Sequence, residues 1–246
     1  MKYNNYYLTD NISLDIYKDK KIYSLFNDYN VKTSLNVEKI EKLLCKGVFK
    51  VPYYEKETAW GYETIYFPFT NKLFKIINTK YNDTSLQLHP IKNEIWYPLK
   101  DVVINDGIRD INVDKSITIN IPSRTVHNLL KDSIVFEVQD NIVFEYDETY
   151  RIFDKCNRDI QLDKFNAFHF LNNNKIDLIN DKLIIKKQKL KTDCFIYSKE
   201  MDVLIKYNNK QRLIKKNELW FLSKGTIILN NIEDVIIVES KYIRYI

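Results

Sequence analysis

From about residue 58 onward, apolar and polar residues alternate in short runs broken by turn residues. Ile117, Ile119 and Ile121 are interleaved with Thr118 and Asn120, and Ile134, Phe136 and Val138 with Val135, Glu137 and Gln139. Successive residues of a strand face opposite sides, so each run predicts a strand with two distinct faces. The runs Trp60-Gly61-Tyr62-Glu63-Thr64-Ile65-Tyr66-Phe67 and Lys72-Leu73-Phe74-Lys75-Ile76-Ile77 read the same way. Val102-Val103-Ile104 leads into Asn105-Asp106-Gly107, and an Asp-Gly pair favours a tight hairpin. Short strands separated by turns, with no long helical pattern, predict a jelly roll or barrel.

Two flanking regions differ. Over residues 1–54 one helix stands out: Asn36 can cap its start, Val37, Ile40, Leu43 and Leu44 form an apolar face, and Gly47 can end it. We read this part as an N-terminal extension and residues 55–160 as the principal β-domain. Residues 161–246 open on a helix-compatible stretch, Leu162 to Leu171. They continue as strands at Leu183-Ile184-Ile185, Cys194-Phe195-Ile196-Tyr197, Val203-Leu204-Ile205, Leu219-Trp220-Phe221-Leu222, Thr226-Ile227-Ile228-Leu229 and Val235-Ile236-Ile237-Val238. Lys215 to Leu222 echoes the segment before His127, so this last part predicts a smaller, degenerate copy of the β-unit.

Composition narrows the function classes. With 18 Tyr and 13 Phe among 246 residues, the chain favours sheet over a helix bundle. The net charge of +5 is spread along the chain with no basic block. It suits an anionic small molecule and argues against a nucleic-acid partner. Cys45, Cys156 and Cys194 are odd in number and widely spaced, which predicts neither a disulfide framework nor a thiolate metal site, and fits a reducing, cytoplasmic setting. The N-terminus lacks the apolar core of a signal peptide, and no apolar run is long enough to span a bilayer, so no membrane partner is expected. The sequence leaves the oligomeric state open.

Two of the three histidines fall in short stretches rich in strand residues: Gln87-Leu88-His89-Pro90, followed by Glu94-Ile95-Trp96-Tyr97, and Ile121-Pro122-Ser123-Arg124-Thr125-Val126-His127. Gln87 and His89 have the parity to face one side of a strand. Glu94 lies five positions beyond His89, the wrong parity for an unbroken strand, and a break at Pro90 or near Lys92-Asn93 corrects it. Two imidazoles, a carboxylate and an amide oxygen suit a divalent first-row metal with open coordination positions. Ligand type places Zn2+ first, with iron, manganese and nickel as alternatives. Taken alone, each histidine reads rather as an ordinary, partly buried, hydrogen-bonded one.

The same stretches resemble the type I mannose-6-phosphate isomerases, a family of cupins, in their short bacterial form. Gln87-Leu88-His89-Pro90 and Glu94-Ile95-Trp96-Tyr97 are similar to that family's S-[IVL]-Q-x-H-P and E-x-W-Y. Ile121 to His127 resembles V-P-S-G-T-x-H, Val135-Phe136-Glu137-Val138-Gln139 resembles I-x-E-I-Q, and Glu148-Thr149-Tyr150-Arg151-Ile152-Phe153-Asp154 resembles T-T-Y-R-[VL]-Y-D. Trp60-Gly61 and Leu162-Asp163-Lys164 are looser matches. The resemblance covers roughly residues 55 to 170.

The resemblance implies a mainly β cupin jelly roll, with Gln87, His89, Glu94 and His127 as metal ligands. It implies isomerisation of mannose 6-phosphate to fructose 6-phosphate through a cis-enediol. Glu137 is then the candidate for moving the proton between C1 and C2, or else a supporting group beneath the ligands. Arg151 would meet developing charge or phosphate, or else form an ion pair with Asp147 or Asp154. Lys92 and Arg124 are candidates for substrate binding. The chain departs from the family pattern in two places: only Ile91-Lys92-Asn93 separate His89-Pro90 from Glu94, and Arg124 stands where the family has glycine. These departures also fit a non-catalytic cupin that binds a sugar or metabolite, or an interaction module.

Overall fold

The computed structural model describes residues 42–43, 45–66, 72–140, 149–156, 175–180 and 185–239. Of the predicted helix, the described residues include Lys42, Leu43, Cys45 and Lys46, all helical, and Gly47 ends it at φ 68°. A left-handed φ here suits glycine, and the Gly47 Cα also faces the Tyr207 ring so closely that a Cβ would lie 2.4 Å from its hydroxyl. The start of that helix and the stretch from Leu162 to Leu171 lie outside the described residues, as do Leu183, Ile184 and Asp147.

Twenty strands are formed among the described residues. In order, they are β1 (Val48–Lys50), β2 (Tyr53–Thr58), β3 (Gly61–Tyr66), β4 (Leu73–Asn78), β5 (Leu86–Leu88), β6 (Asn93–Pro98) and β7 (Val102–Asn105). The chain continues through β8 (Asp110–Val113), β9 (Thr118–Ile121), β10 (Asn128–Leu129), β11 (Ile134–Asp140), β12 (Tyr150–Phe153) and β13 (Asp177–Ile179). Last come β14 (Gln188–Lys189), β15 (Cys194–Ser198), β16 (Val203–Tyr207), β17 (Lys210–Ile214), β18 (Leu219–Leu222), β19 (Ile227–Ile228) and β20 (Val235–Glu239). The protein is mainly β, as the alternation predicts, and it divides into two compact units.

The first unit comprises β2 to β13. Its large sheet runs β13-β9-β6-β11-β4-β3-β2, and a smaller one runs β10-β7-β8. All the neighbours pair antiparallel, and strands distant in sequence meet, as in a jelly roll. Inward parity places Ile77, Trp96, Ile104, Ile119, Ile121, Leu129 and Val135 in one apolar cluster that fills the end of the hollow. The polar inward positions of the same strands, Lys75, Glu94, Glu137 and Gln139, border a cavity above it. The other face of β4 and β11 is buried too, with Phe74 and Phe136 stacked at 6.1 Å.

The second unit contains β1 and β14 to β20. Here β15 pairs with β18 and β20, while β16 pairs with β17 and β19. In the first unit β6 pairs with β9 and β11, and β7 with β8 and β10, so the six-strand pattern is repeated. Register makes the correspondence residue by residue. Glu94 lies opposite Ile121 and Gln139, and Cys194 lies opposite Leu222 and Glu239. Its hollow is filled with hydrocarbon from Val48, Ile196, Ile205, Ile214, Ile228 and Ile232. No helix among the described residues is long and apolar enough to cross a membrane.

Candidate metal centre

The chain brings its ligand candidates together by breaking a strand. β5 ends at Leu88 and β6 begins at Asn93, with His89 to Lys92 outside both. Pro90 cannot donate to a ladder, so the strand stops there and the inward face is reset. Glu94 then points inward on β6, as the parity argument requires, along with Trp96. His127 is brought in by an isolated antiparallel bridge to Gln87, closed by Gln87 N–H to His127 C=O at 3.0 Å and His127 N–H to Gln87 C=O at 2.9 Å. The loop before it is pinned by the Arg124 N–H to the His89 carbonyl, 2.6 Å.

His89, Glu94 and His127 each offer one ligand atom, and these atoms lie within 4.8 Å of one another. All three side chains are no more than 2% exposed. His89 Nε2 is 3.1 Å from Glu94 Oε1, and His127 Nε2 is 3.3 Å from Glu94 Oε2. His127 Nδ1 sits 2.9 Å from the Thr125 carbonyl, which can only accept, so the proton belongs on Nδ1 and the Nε2 lone pair faces the carboxylate. Neither His127 Nε2 nor Glu94 Oε2 makes a hydrogen bond. Two buried acceptors facing each other are costly unless a cation lies between them. A second proton on His127 would supply one positive charge; a divalent metal would satisfy both histidines and the carboxylate at once. The donor set therefore fits a metal of the zinc type.

The electrostatics agree with that chemistry. Burial pushes His89 down to about 4, against Glu94, leaving a neutral imidazole of the kind metals bind. Burial also opposes ionisation of Glu94, but His89, then Lys92, outweigh it and hold Glu94 well below the usual carboxylate range. Because His89 itself is neutral near pH 7, the Lys92 ammonium, 3.1 Å from Glu94 Oε1, is the steadier of these influences. Glu137 is driven the other way, up to about 8, first by burial and then by the Glu94 charge. Two carboxyl groups in one cavity are thus pushed apart, one ionised and one protonated.

The cavity encloses about 190 Å³. Gln87, His89, Lys92, Glu94, Glu137 and Arg151 all border it. Arg151 reaches it from β12, where it lies opposite Gln87. Arg124 does not border it: its backbone takes a left-handed φ of 64°, and its Nε reaches the Pro90 carbonyl at 3.4 Å.

Among the other residues that border the cavity, Gln139, Lys75 and Glu63 carry polar groups to which the sequence assigns no role. Gln139 donates to Glu137 Oε1 at 2.7 Å. Lys75, opposite Glu137 on β4, is 3.4 Å from Glu63 on β3. Burial pulls the Lys75 ammonium down, but Glu63, Glu137 and Glu94 outweigh it and raise it. The available signal was Lys75 itself, a charged residue flanked on both sides by apolar ones in Leu73-Phe74-Lys75-Ile76-Ile77.

No protein-family model matches the sequence, and no curated protein matches it. Solved structures do match. The mannose 6-phosphate isomerase of Bacillus subtilis aligns at a TM-score of 0.63 and 15% identity, covering 78% of this chain and 99% of that one. A point mutant of phosphomannose isomerase from Salmonella typhimurium aligns at 0.59 and 7%, covering 78% and 100%. The 7S globulin of Momordica charantia aligns at 0.51 and 8%, covering 77% and 81%. At these identities the likeness is one of fold: a mainly β jelly roll, shared by isomerases and by a globulin alike.

Proposed function

We propose that the protein is a metal-dependent aldose–ketose isomerase acting on a sugar phosphate, with mannose 6-phosphate to fructose 6-phosphate as the leading reaction. The observation that carries this reading is the buried His89–Glu94–His127 cluster, with ligand atoms within 4.8 Å, beside a cavity bordered by Glu137, Lys75, Lys92 and Arg151. The similarity of fold to two phosphomannose isomerases supports it.

In this reading His89, Glu94 and His127, with the Gln87 amide oxygen, hold the ion, which is Zn2+ by ligand type. A bound divalent ion supplies Lewis acidity that polarises the sugar oxygens and favours the enediolate. With the Glu94 charge that keeps Glu137 protonated offset by a bound cation, the ionised Glu137 takes the proton from C2 of the open-chain aldose and returns it to C1 of the cis-enediol, while the O2 hydroxyl proton passes to O1, which yields the ketose. Gln139 holds Glu137 Oε1, so Oε2 is the oxygen left to carry that proton. Arg151, a planar and permanently charged fork, meets phosphate or developing oxyanion charge. Lys92 stabilises the ionised Glu94 and contributes positive charge to the substrate side, as does Lys75. Arg124, engaged with Pro90, shapes the loop that presents His127 rather than touching the sugar.

The test is a coupled assay for fructose 6-phosphate formed from mannose 6-phosphate by metal-loaded protein. Turnover that falls at least about 100-fold in Glu137→Gln, with metal content retained, is the expected result. A second reading, a cupin that binds a sugar or metabolite without turnover, is favoured by the connection of only three residues between Pro90 and Glu94, where the resemblance implies a longer segment. Folded, metal-loaded protein with no turnover, but with saturable sugar-phosphate binding, would establish that reading and remove the first.

A further inference from the structure

The Gln87 carboxamide has a fixed partner at one end and a conflict at the other. Ser85, buried at 1% exposure, donates its hydroxyl to Gln87 Oε1 at 2.7 Å. That leaves Gln87 Nε2 facing His89 Nε2 at 3.3 Å, while His89 Nε2 also lies 3.1 Å from Glu94 Oε1. With Glu94 ionised, the three contacts are incompatible in either state of His89 Nε2. If His89 Nε2 carries a proton for Glu94, it meets the amide N–H head-on. If it carries a lone pair for the amide, it faces the carboxylate oxygen with no proton between them. An amide pointing its NH2 group at the cluster also repels any cation held there.

Turning the amide over removes the conflict. Oε1 then faces the cluster, as a hydrogen-bond acceptor or a metal ligand, and Nε2 faces Ser85. A hydroxyl is the one small side chain that serves both orientations, because it donates to Oε1 in the first and accepts from Nε2 in the second. We infer that Ser85 is the pivot partner of a Gln87 carboxamide that turns over when the ion binds, keeping the amide satisfied at its outer end in both states. Ser85 is a positioning residue: it acts on the metal centre through Gln87 and touches neither ion nor substrate. This inference rests on the metal-centre part of the proposed function and is independent of turnover.

The test is a double-mutant cycle read by calorimetric titration of the metal-free full chain with Zn2+. The Co2+-loaded visible spectrum serves as a second readout, and thermal unfolding of each metal-free variant checks the fold. Ser85→Ala is expected to weaken Zn2+ binding by about 10–100-fold, the usual cost of losing a group that orients a ligand, and to change the Co2+ spectrum. Ser85→Thr, which keeps the hydroxyl, is expected to recover most of that affinity. In a Gln87→Glu background both ends of the side chain accept, no turnover of an amide is needed, and Ser85→Ala should cost less than about threefold. Equal losses in the two backgrounds would reduce Ser85 to a packing role and overturn the inference. So would a folded Ser85→Ala with wild-type affinity. Wild-type protein that takes up no metal would instead remove the metal centre, and the inference with it.

Discussion

Glu137 is a carboxyl buried beside a second carboxylate, Glu94, and it carries the clearest pH signature. Its carboxyl is buried and raised from 4.5 to about 8, whereas His89 is lowered from 6.5 to about 4. For Glu137 the folded state holds the proton more tightly than the unfolded one, so its contribution is present at low pH and lost as pH rises from 4.5 toward 8. For His89 the folded state binds the proton less tightly, so its contribution is present above 6.5 and lost as pH falls toward 4. The two oppose each other below 6.5; above it only Glu137 acts. Metal-free protein should therefore lose stability between pH 6.5 and 8, and Glu137→Gln should flatten that slope. Denaturant unfolding at stepped pH checks this, and an unchanged slope in the variant would contradict the placement of Glu137 in a buried, carboxylate-flanked site.

Much of this residue-level chemistry was legible before the fold. The spacing of His89, Pro90 and Glu94 demanded a broken strand, and the chain breaks there. Lys75 and Glu63 were not legible, because a lysine within an apolar run gives no hint of which carboxylate a neighbouring strand will bring to it. Nor was the orientation of Arg124: a long charged side chain in a loop reads as a ligand for phosphate until the left-handed backbone turns it onto Pro90.

At the scale of elements, the centre depends on β5, β6 and β11 keeping their register, and β11 is held on its other side by β4. Gly61, at the start of β3, lets that stack close. Its φ is 153°, and a Cβ there would lie 1.9 Å from the Asn78 carbonyl oxygen, where the chain leaves β4. Backbone cannot yield as a flexible side chain does, so Gly61→Ala is expected to cost at least about 2 kcal/mol of stability. Thermal and denaturant unfolding measure it, and a change under about 0.5 kcal/mol would show that β3 and β4 approach less closely than described. The alternation in Ile117 to Ile121 and Ile134 to Gln139 announced β9 and β11 directly. Short pieces such as β10 and β14, two residues each, carry too little pattern to stand out from loop.

The molecule as a whole repeats one strand pattern with two kinds of interior. At the position of Glu94 the second unit has Cys194, at that of His127 it has Thr226, and at that of Glu137 it has Ile237. Cys194 and Thr226 are buried, and burial pushes the Cys194 thiol up to about 12, away from the thiolate that would bind a metal. Hydrocarbon in place of polar ligands makes the second copy a packed core. The sequence echo between the copies was readable. The exact register that pairs Glu94 with Cys194 was not, because it is set by hydrogen-bonding partners some thirty to fifty residues away along the chain.

The most direct test of the central claim is elemental analysis of purified protein dialysed against a slight excess of Zn2+, with His127→Ala alongside. One zinc per wild-type chain, lost in a variant that remains folded, is the predicted result. Two per chain, none, or one that persists when His127 is removed would contradict the placement of the metal among His89, Glu94 and His127.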